Sequence, residues 1–170
     1  MAIQRDKIVA SAEKLVGKGK TEAAIKEYER LLDDNPNDVN TLNRIGDLWV
    51  RVNRTDEAVK VYTRIADHYA KDGFFLKSIA IFKKINKLDP SRLDIYGRLA
   101  DLYAKQGLAM EAKSQYQVLA DYYLKHGEPD KALATFQKIA ELDPNSINVH
   151  VKLADLYSQN NRTAEALKEY

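Results

Sequence analysis

Apolar residues recur at spacings of three and four along most of the chain, the period of helices buried on one face. Over 39–52 the stripe is Val39, Leu42, Ile45, Leu48, Trp49 and Val52, and over 55–71 it is Ala58, Val61, Tyr62, Ile65, Ala66 and Tyr69. Over 75–88 it is Ile79, Phe82, Ile85 and Leu88. Between the stripes stand short polar breaks. Gly73 and Gly127 follow lysine-containing helix ends and suit the left-handed turn that closes a helix. The Asp-Pro pairs at 89–90 and 143–144 stop a helix, because the residue before proline resists helical geometry. Thr55 and Ser91 are the expected N-caps. Links this short turn each helix back against its neighbour. The pattern predicts an all-α chain of about ten antiparallel helices, the last incomplete.

The pattern also repeats. Pro36, Pro90 and Pro144 stand 54 residues apart, and Gly19, Gly73 and Gly127 keep the same interval. Sliding 37–90 onto 91–144 leaves 19 of 54 pairs identical, among them Asp47/Asp101, Ala58/Ala112, Tyr62/Tyr116, Ala66/Ala120, Phe82/Phe136 and Leu88/Leu142. Ordinary composition would give about three. Residues 1–36 match the last two thirds of the block and 145–170 its first half, so Tyr28 joins Phe82 and Phe136, and Trp49 joins Tyr103 and Tyr157. Tyr170 falls in the column of Tyr62 and Tyr116. The expected organisation is a single repeat array over 1–170: a partial block 1–36, blocks 37–90 and 91–144, and a partial block 145–170. No polar cap closes the array, so the chain reads as the N-terminal part of a longer protein, or as one whose open face a partner covers.

Composition narrows the function. The 170 residues carry 27 basic and 25 acidic side chains, a balance of +2 that gives no global pull towards nucleic acid or anionic membrane. With no cysteine, disulfides and thiolate-bound metals are excluded. No stretch nears the roughly 18 apolar residues of a membrane span, and the start has no signal-peptide core. The expectation is a cytoplasmic chain without membrane insertion. His68, His126 and His150 lack ligand spacing, and there is no phosphate-binding glycine loop, HExxH or nucleophile elbow. No cofactor, metal or catalytic residue is expected, and no enzyme.

The columns resemble the tetratricopeptide repeat, whose first helix carries a large residue, Leu-Gly/Ala and Tyr, and whose second carries Ala, Phe/Tyr, Ala and a closing Pro. Leu42, Ile45-Gly46 and Trp49 followed by Ala58, Tyr62 and Ala66 fit it, as do Tyr96, Leu99-Ala100, Tyr103, Ala112, Tyr116 and Ala120. Tyr116, Leu119-Ala120, Tyr123, Ala132, Phe136, Ala140 and Pro144 fit again, so 109–125 serves both helix patterns. The 54-residue, three-helix period departs from the family's 34. It resembles that of long bacterial repeat proteins that act as scaffolds in signalling and motility. The resemblance implies a right-handed solenoid of stacked helices, with Trp49 and the tyrosine columns in its core.

It also implies where a partner would sit. Glu13, Asp47, Asp67, Asp101, Asp121 and Asp155 share a column that faces the groove in the family, and could receive a basic segment. They could equally be spent on i,i+4 pairs such as Asp47–Arg51 and Asp121–Lys125. Asn40, Asn43 and Asp47, then Asp94, Arg98 and Asp101, then Asn148, Lys152 and Asp155 would line successive first-helix faces. Val9 and Glu13 stand where the family's carboxylate clamp begins, which argues against that activity. Phe74-Phe75 breaks a column otherwise filled by Lys20-Thr21 and Glu128-Pro129, either as a staple on its own helix or as exposed anchors. Lys83, Lys84 and Lys87 read as a solvated face.

The expected function is a non-enzymatic scaffold that binds a peptide or folded partner protein. The alternatives are a regulatory arm of a larger enzyme and an RNA-binding helical repeat. RNA would want a basic groove where the most regular column is acidic. Self-association through the unfinished C-terminal end is a further expectation.

Overall fold

The computed structural model describes residues 2–169, among which there are ten α-helices and no strand. Tyr170, placed by its column beside Tyr62 and Tyr116, lies outside the described residues. The all-α expectation holds helix for helix. The first five are α1 (Ala2–Gly17), α2 (Thr21–Glu29, prolonged by a 3-10 turn at Arg30–Leu32), α3 (Val39–Arg51), α4 (Thr55–Lys71) and α5 (Phe75–Leu88). The second five are α6 (Leu93–Lys105), α7 (Ala109–Lys125), α8 (Pro129–Leu142), α9 (Ile147–Gln159) and α10 (Thr163–Glu169). They gather into two compact units, α1–α5 and α6–α10, divided between Asp89 and Pro90.

Two kinds of turn occur, two left-handed turns for each Asp-Pro stop, and both follow from the sequence. Between α4 and α5, and between α7 and α8, Gly73 and Gly127 take φ of +79° and +69°. The column of Asn53, Gly107 and Asn161 does the same after α3, α6 and α9, with φ of +59°, +76° and +57°. Asparagine is among the side chains that tolerate this region best. The next amide then reaches back five residues: Arg54 N–H to Trp49 O (2.9 Å), Phe74 to Tyr69 (2.8 Å), Leu108 to Tyr103 (2.9 Å) and Glu128 to Tyr123 (2.9 Å). At the other turns Asp89 and Asp143 precede proline at φ of −143° and −141°, and the helix stops there.

The expected N-caps are corrected. Arg54, not Thr55, holds the cap position of α4, and Arg92, not Ser91, that of α6. Arg54 has two backbone duties in one residue. Its N–H closes α3 and its carbonyl accepts from Ala58 N (3.1 Å) to open α4. That leaves Thr55 already inside the helix. A side-chain cap does form at α3, where the Asp38 carboxylate accepts from the amides of Asn40 and Thr41. Arg5 ties the same carboxylate to α1 at 2.5 Å.

In the first unit Ala12, Ala24, Ile25, Tyr28, Leu31, Ile45 and Leu48 form one core, with Val9, Val16 and Trp49 packed on it. In the second, Tyr116, Leu119, Ala120, Leu133, Phe136, Ile139, Leu153 and Tyr157 do so. Small residues let the helices approach and the aromatics fill the space between turns. Tyr28, Tyr62, Phe82, Tyr116, Phe136 and Tyr157 are core as expected. Trp49 and Tyr103 are only half-buried.

Helix α10 is held by an unusual histidine. His150 Nδ1 lies 2.6 Å from Glu169 Oε2, while Nε2 lies 2.9 Å from Pro144 O. Both neighbours are acceptors, so only the doubly protonated ring can donate to both. The same backbone carbonyl one repeat earlier, Pro90 O, takes the Tyr96 hydroxyl at 3.1 Å. The Glu169 hydrogen bond, then the Pro144 carbonyl, raise the His150 pKa above its ordinary value. The other charges nearby are spent: Asp143 on Lys113, and Glu165 on Arg162. A raised histidine pKa favours the folded form at low pH. The clasp should be complete below about pH 6.5 and lost as pH rises through the folded-state value. NMR titration should show the His150 pKa falling in Glu169→Gln, with amide protection in α10 declining over the same pH range in wild type. An unchanged His150 titration in Glu169→Gln would refute the clasp.

Candidate functional site

The acidic column splits into two kinds once its neighbours are in place. Asp47 on α3 accepts from the Tyr62 hydroxyl of α4 (2.5 Å) and from Lys84 Nζ of α5 (2.7 Å). One repeat later Asp101 on α6 accepts from the Tyr116 hydroxyl of α7 and from Lys138 Nζ of α8 (3.0 Å). Each lysine also covers its tyrosine, Lys84 at 4.1 Å from the Tyr62 centroid and Lys138 at 5.1 Å from that of Tyr116. Burial works against the Asp47 charge, but the hydrogen bonds from Lys84 and Tyr62 outweigh it and hold the pKa below the usual carboxylate value. Burial, and then the carboxylate, push both phenols well above the ordinary tyrosine value. These carboxylates act as rivets between three helices. Lys84 is therefore a paired side chain, though partly exposed, and Asp47 reaches across to α5 rather than along α3 to Arg51.

Asp121 is different. Asp121 accepts only from Gln117 Nε2, at 2.9 Å on its own helix, and its place in the aromatic column below is taken by Phe136, which has no hydroxyl to offer. Among the described residues neither Asp121 nor Asp155 has a cation at ion-pair distance. Both line one groove of about 430 Å³ formed by α7, α8 and α9, with Gln117, Leu124, Phe136, Asn148, Val151 and Lys152. Leu124 and Val151 expose apolar surface there.

The first unit carries the counterpart, 108 residues earlier. Glu13, Val16, Tyr28, Arg44 and Asp47 of α1, α2 and α3 stand where Asp121, Leu124, Phe136, Lys152 and Asp155 stand in the second, around about 330 Å³. Its charges are answered from within. Arg44 lies 3.6 Å from Glu13 and 6.0 Å from the Tyr28 centroid, and Asp47 is held by Lys84. The two grooves are lined by equivalent positions, but Glu13 has Arg44 beside it where Asp121 has no cation at ion-pair distance among the described residues.

Of the residues singled out in the sequence, the second groove brings together Asn148, Lys152 and Asp155, and the first contains Asp47. Asn40 is exposed and Asn43 half-buried on α3, and neither lines the first groove. Asp94, Arg98 and Asp101 lie on α6 and line neither groove; Asp94 sits 3.7 Å from Arg92. Phe74 precedes α5, half exposed, edge-on to Tyr69, with Phe75 partly buried behind it. Sequence reasoning missed Gln117, Leu124 and Val151, and it missed Lys84 and Lys138 as partners of Asp47 and Asp101. The lysines had a signal, since they are one of the 19 identical pairs yet sit on an exposed face.

Among the described residues no group of His, Asp and Glu could hold a metal ion, and no helix is long and apolar enough to cross a membrane. Several solved structures align along most of the chain at low identity. YrrB, described as a TPR protein with an unusual peptide-binding site, is 15% identical over 99% of this chain and 86% of its own, with a TM-score of 0.35. TTC0263, a thermophilic TPR protein of Thermus thermophilus, is 18% identical over 90% and 98%, with a TM-score of 0.32. A tetratricopeptide repeat protein from Parabacteroides merdae is 16% identical over 96% and 76%, with a TM-score of 0.36. Comparison with curated proteins gave no match. Two family models described as Tetratricopeptide repeat match residues 9–73 and 123–170, between them more than half of the chain. The chain belongs to the tetratricopeptide repeat family, whose members are in general scaffolds for protein interaction rather than enzymes.

Proposed function

We propose that the chain captures a segment of a partner protein in the groove of α7, α8 and α9, and that the segment brings basic side chains flanked by apolar ones. The observation that carries this is Asp121, which has no cation at ion-pair distance among the described residues, with Asp155 in the same groove and the exposed Leu124 and Val151 beside them. A lysine or arginine entering beside Asp121 and Asp155 meets carboxylates with no cation at ion-pair distance among the described residues, and Leu124, Val151 and Phe136 supply apolar contact for its flanks. Lys152 and Asn148 then orient the backbone or a carboxylate of the same segment. The matching groove on α1–α3 is internally compensated and a poorer receiver.

Affinity capture with crosslinking mass spectrometry tests the reading. The captured partner is expected to crosslink at Lys152 or Lys125, and Asp121→Lys with Asp155→Lys should weaken it by tenfold or more. That follows from about 1.5–3 kcal/mol for each charged hydrogen bond lost. Asp101→Asn, at a carboxylate already held by Lys138, should leave capture unchanged. If the double reversal binds like wild type while remaining folded, the groove is not the site.

A further inference from the structure

Helix α5 carries a second surface, remote in chemistry from the acidic groove. Leu76, Ala80, Lys83 and Lys87 follow one another at four, three and four residues, so they share one face, and all are exposed. Phe74, just before the helix, is 51% exposed and Leu76 is 61% exposed. The helix holds four lysines and no acidic residue. Lys84 is spent on Asp47. Among the described residues Lys77, Lys83 and Lys87 have no carboxylate at ion-pair distance. Lys77 lies over apolar surface instead, 4.8 Å from the Phe74 centroid and 5.4 Å from that of Tyr69.

The equivalent helix, α8, shows what the fold itself requires. Lys77 becomes Lys131, which keeps its place 5.5 Å from the Tyr123 centroid. Around it Phe74 is replaced by Glu128, Leu76 by Asp130, Lys83 by Gln137 and Lys87 by Glu141. Glu128 pairs with Lys131, so α8 carries its own counter-charge. Packing thus needs neither the aromatic and aliphatic pair nor the unpaired lysines of α5. Exposed apolar residues beside free cations mark a surface that something covers.

We propose that the outer face of α5, from Phe74 and Leu76 to Lys83 and Lys87, docks a protein segment in which carboxylates are interspersed with aliphatic or aromatic residues. Such a segment supplies Lys77 with the carboxylate that Glu128 gives Lys131, covers Phe74 and Leu76, and meets Lys83 and Lys87 with further acid. The apolar and basic ends are separated along about 16 Å of helix, the rise of eleven residues. That grading suits a chain segment whose character changes along its length. A membrane surface would call for an apolar band running the length of the helix.

A phage-displayed library of random dodecapeptides, selected on the full chain, tests the docking. Enriched peptides should combine Asp or Glu with Leu, Ile or Phe. Their binding should fall at least tenfold in F74E/L76D and in K83E/K87E, and should weaken as salt rises. Both variants draw on residue types that α8 tolerates at or beside these positions, and a wild-type unfolding profile verifies that they fold. The proposal fails if no peptide is enriched, or if enriched peptides bind both variants as they bind wild type. It also fails if vesicles containing phosphatidylserine, and not peptides, bind wild type and lose F74E/L76D. Asp121→Lys with Asp155→Lys should leave these peptides bound, which separates this surface from the acidic groove.

Discussion

Truncating Tyr62 to alanine is expected to destabilise the first unit by about 3–5 kcal/mol. Tyr62 is fully buried, its ring fills the space beside Gly46, and its hydroxyl fixes the carboxylate that also holds Lys84. Removing it opens a cavity and frees a three-helix tie at once. Tyr62→Phe keeps the ring and loses only the hydroxyl, so its cost should be about 1 kcal/mol. A unit of this size has a total stability of only about 5–15 kcal/mol, so the alanine variant should unfold at much lower urea. Circular dichroism in urea measures the loss, and hydrogen exchange should place it in α3, α4 and α5. Equal costs for the two variants would mean that the hydroxyl tie, not the ring, holds these helices. A cost below about 1 kcal/mol for alanine would mean that neighbouring side chains refill the space.

The helices were legible because each is written twice, once in its apolar stripe and again in the same column one repeat later. The turns were legible where a residue type has one physical use, as with Gly73 or the Asp-Pro pairs. The caps were not. A hydroxyl at Thr55 suggests a capping side chain, but the left-handed residue at Asn53 lets the Arg54 backbone end one helix and begin the next. Composition at a turn does not reveal that economy of residues.

The candidate groove was half legible. Its acidic column could be read from spacing, since Asp47, Asp101, Asp121 and Asp155 recur with the repeat. What separates the rivets Asp47 and Asp101 from Asp121 is a lysine 37 residues further on, Lys84 and Lys138 against Ser158. It also depends on a tyrosine rather than a phenylalanine 15 residues on, Tyr62 and Tyr116 against Phe136. Only packing brings those positions together. The same holds for Phe74. As sequence it could be staple or anchor, and the structure shows an edge contact to Tyr69 with half the side chain still outside.

Gly46→Val is expected to cost about 1–3 kcal/mol, with the strain directed at the same tyrosine. A Cβ built on Gly46 would stand 2.5 Å from Tyr62 Cε1, 2.8 Å from Cζ and 3.0 Å from Cδ1. The ring can shift only a little, because it is fully buried and tethered at its hydroxyl to Asp47. The repeat limits how severe a smaller change can be. Ala100 holds this column in the second unit and shares a core with Tyr116, so one methyl fits once the ring shifts. Gly46→Ala should therefore lie within about 1 kcal/mol of wild type, since alanine favours the helix over glycine by about that much. Valine adds two carbons at the point of contact and a branched side chain in a helix. Thermal unfolding of the three proteins should rank wild type and alanine together, with valine well below. If valine unfolds with wild type, Tyr62 is not confined as described, and its hydroxyl cannot be the fixed donor that sets Asp47 apart from Asp121.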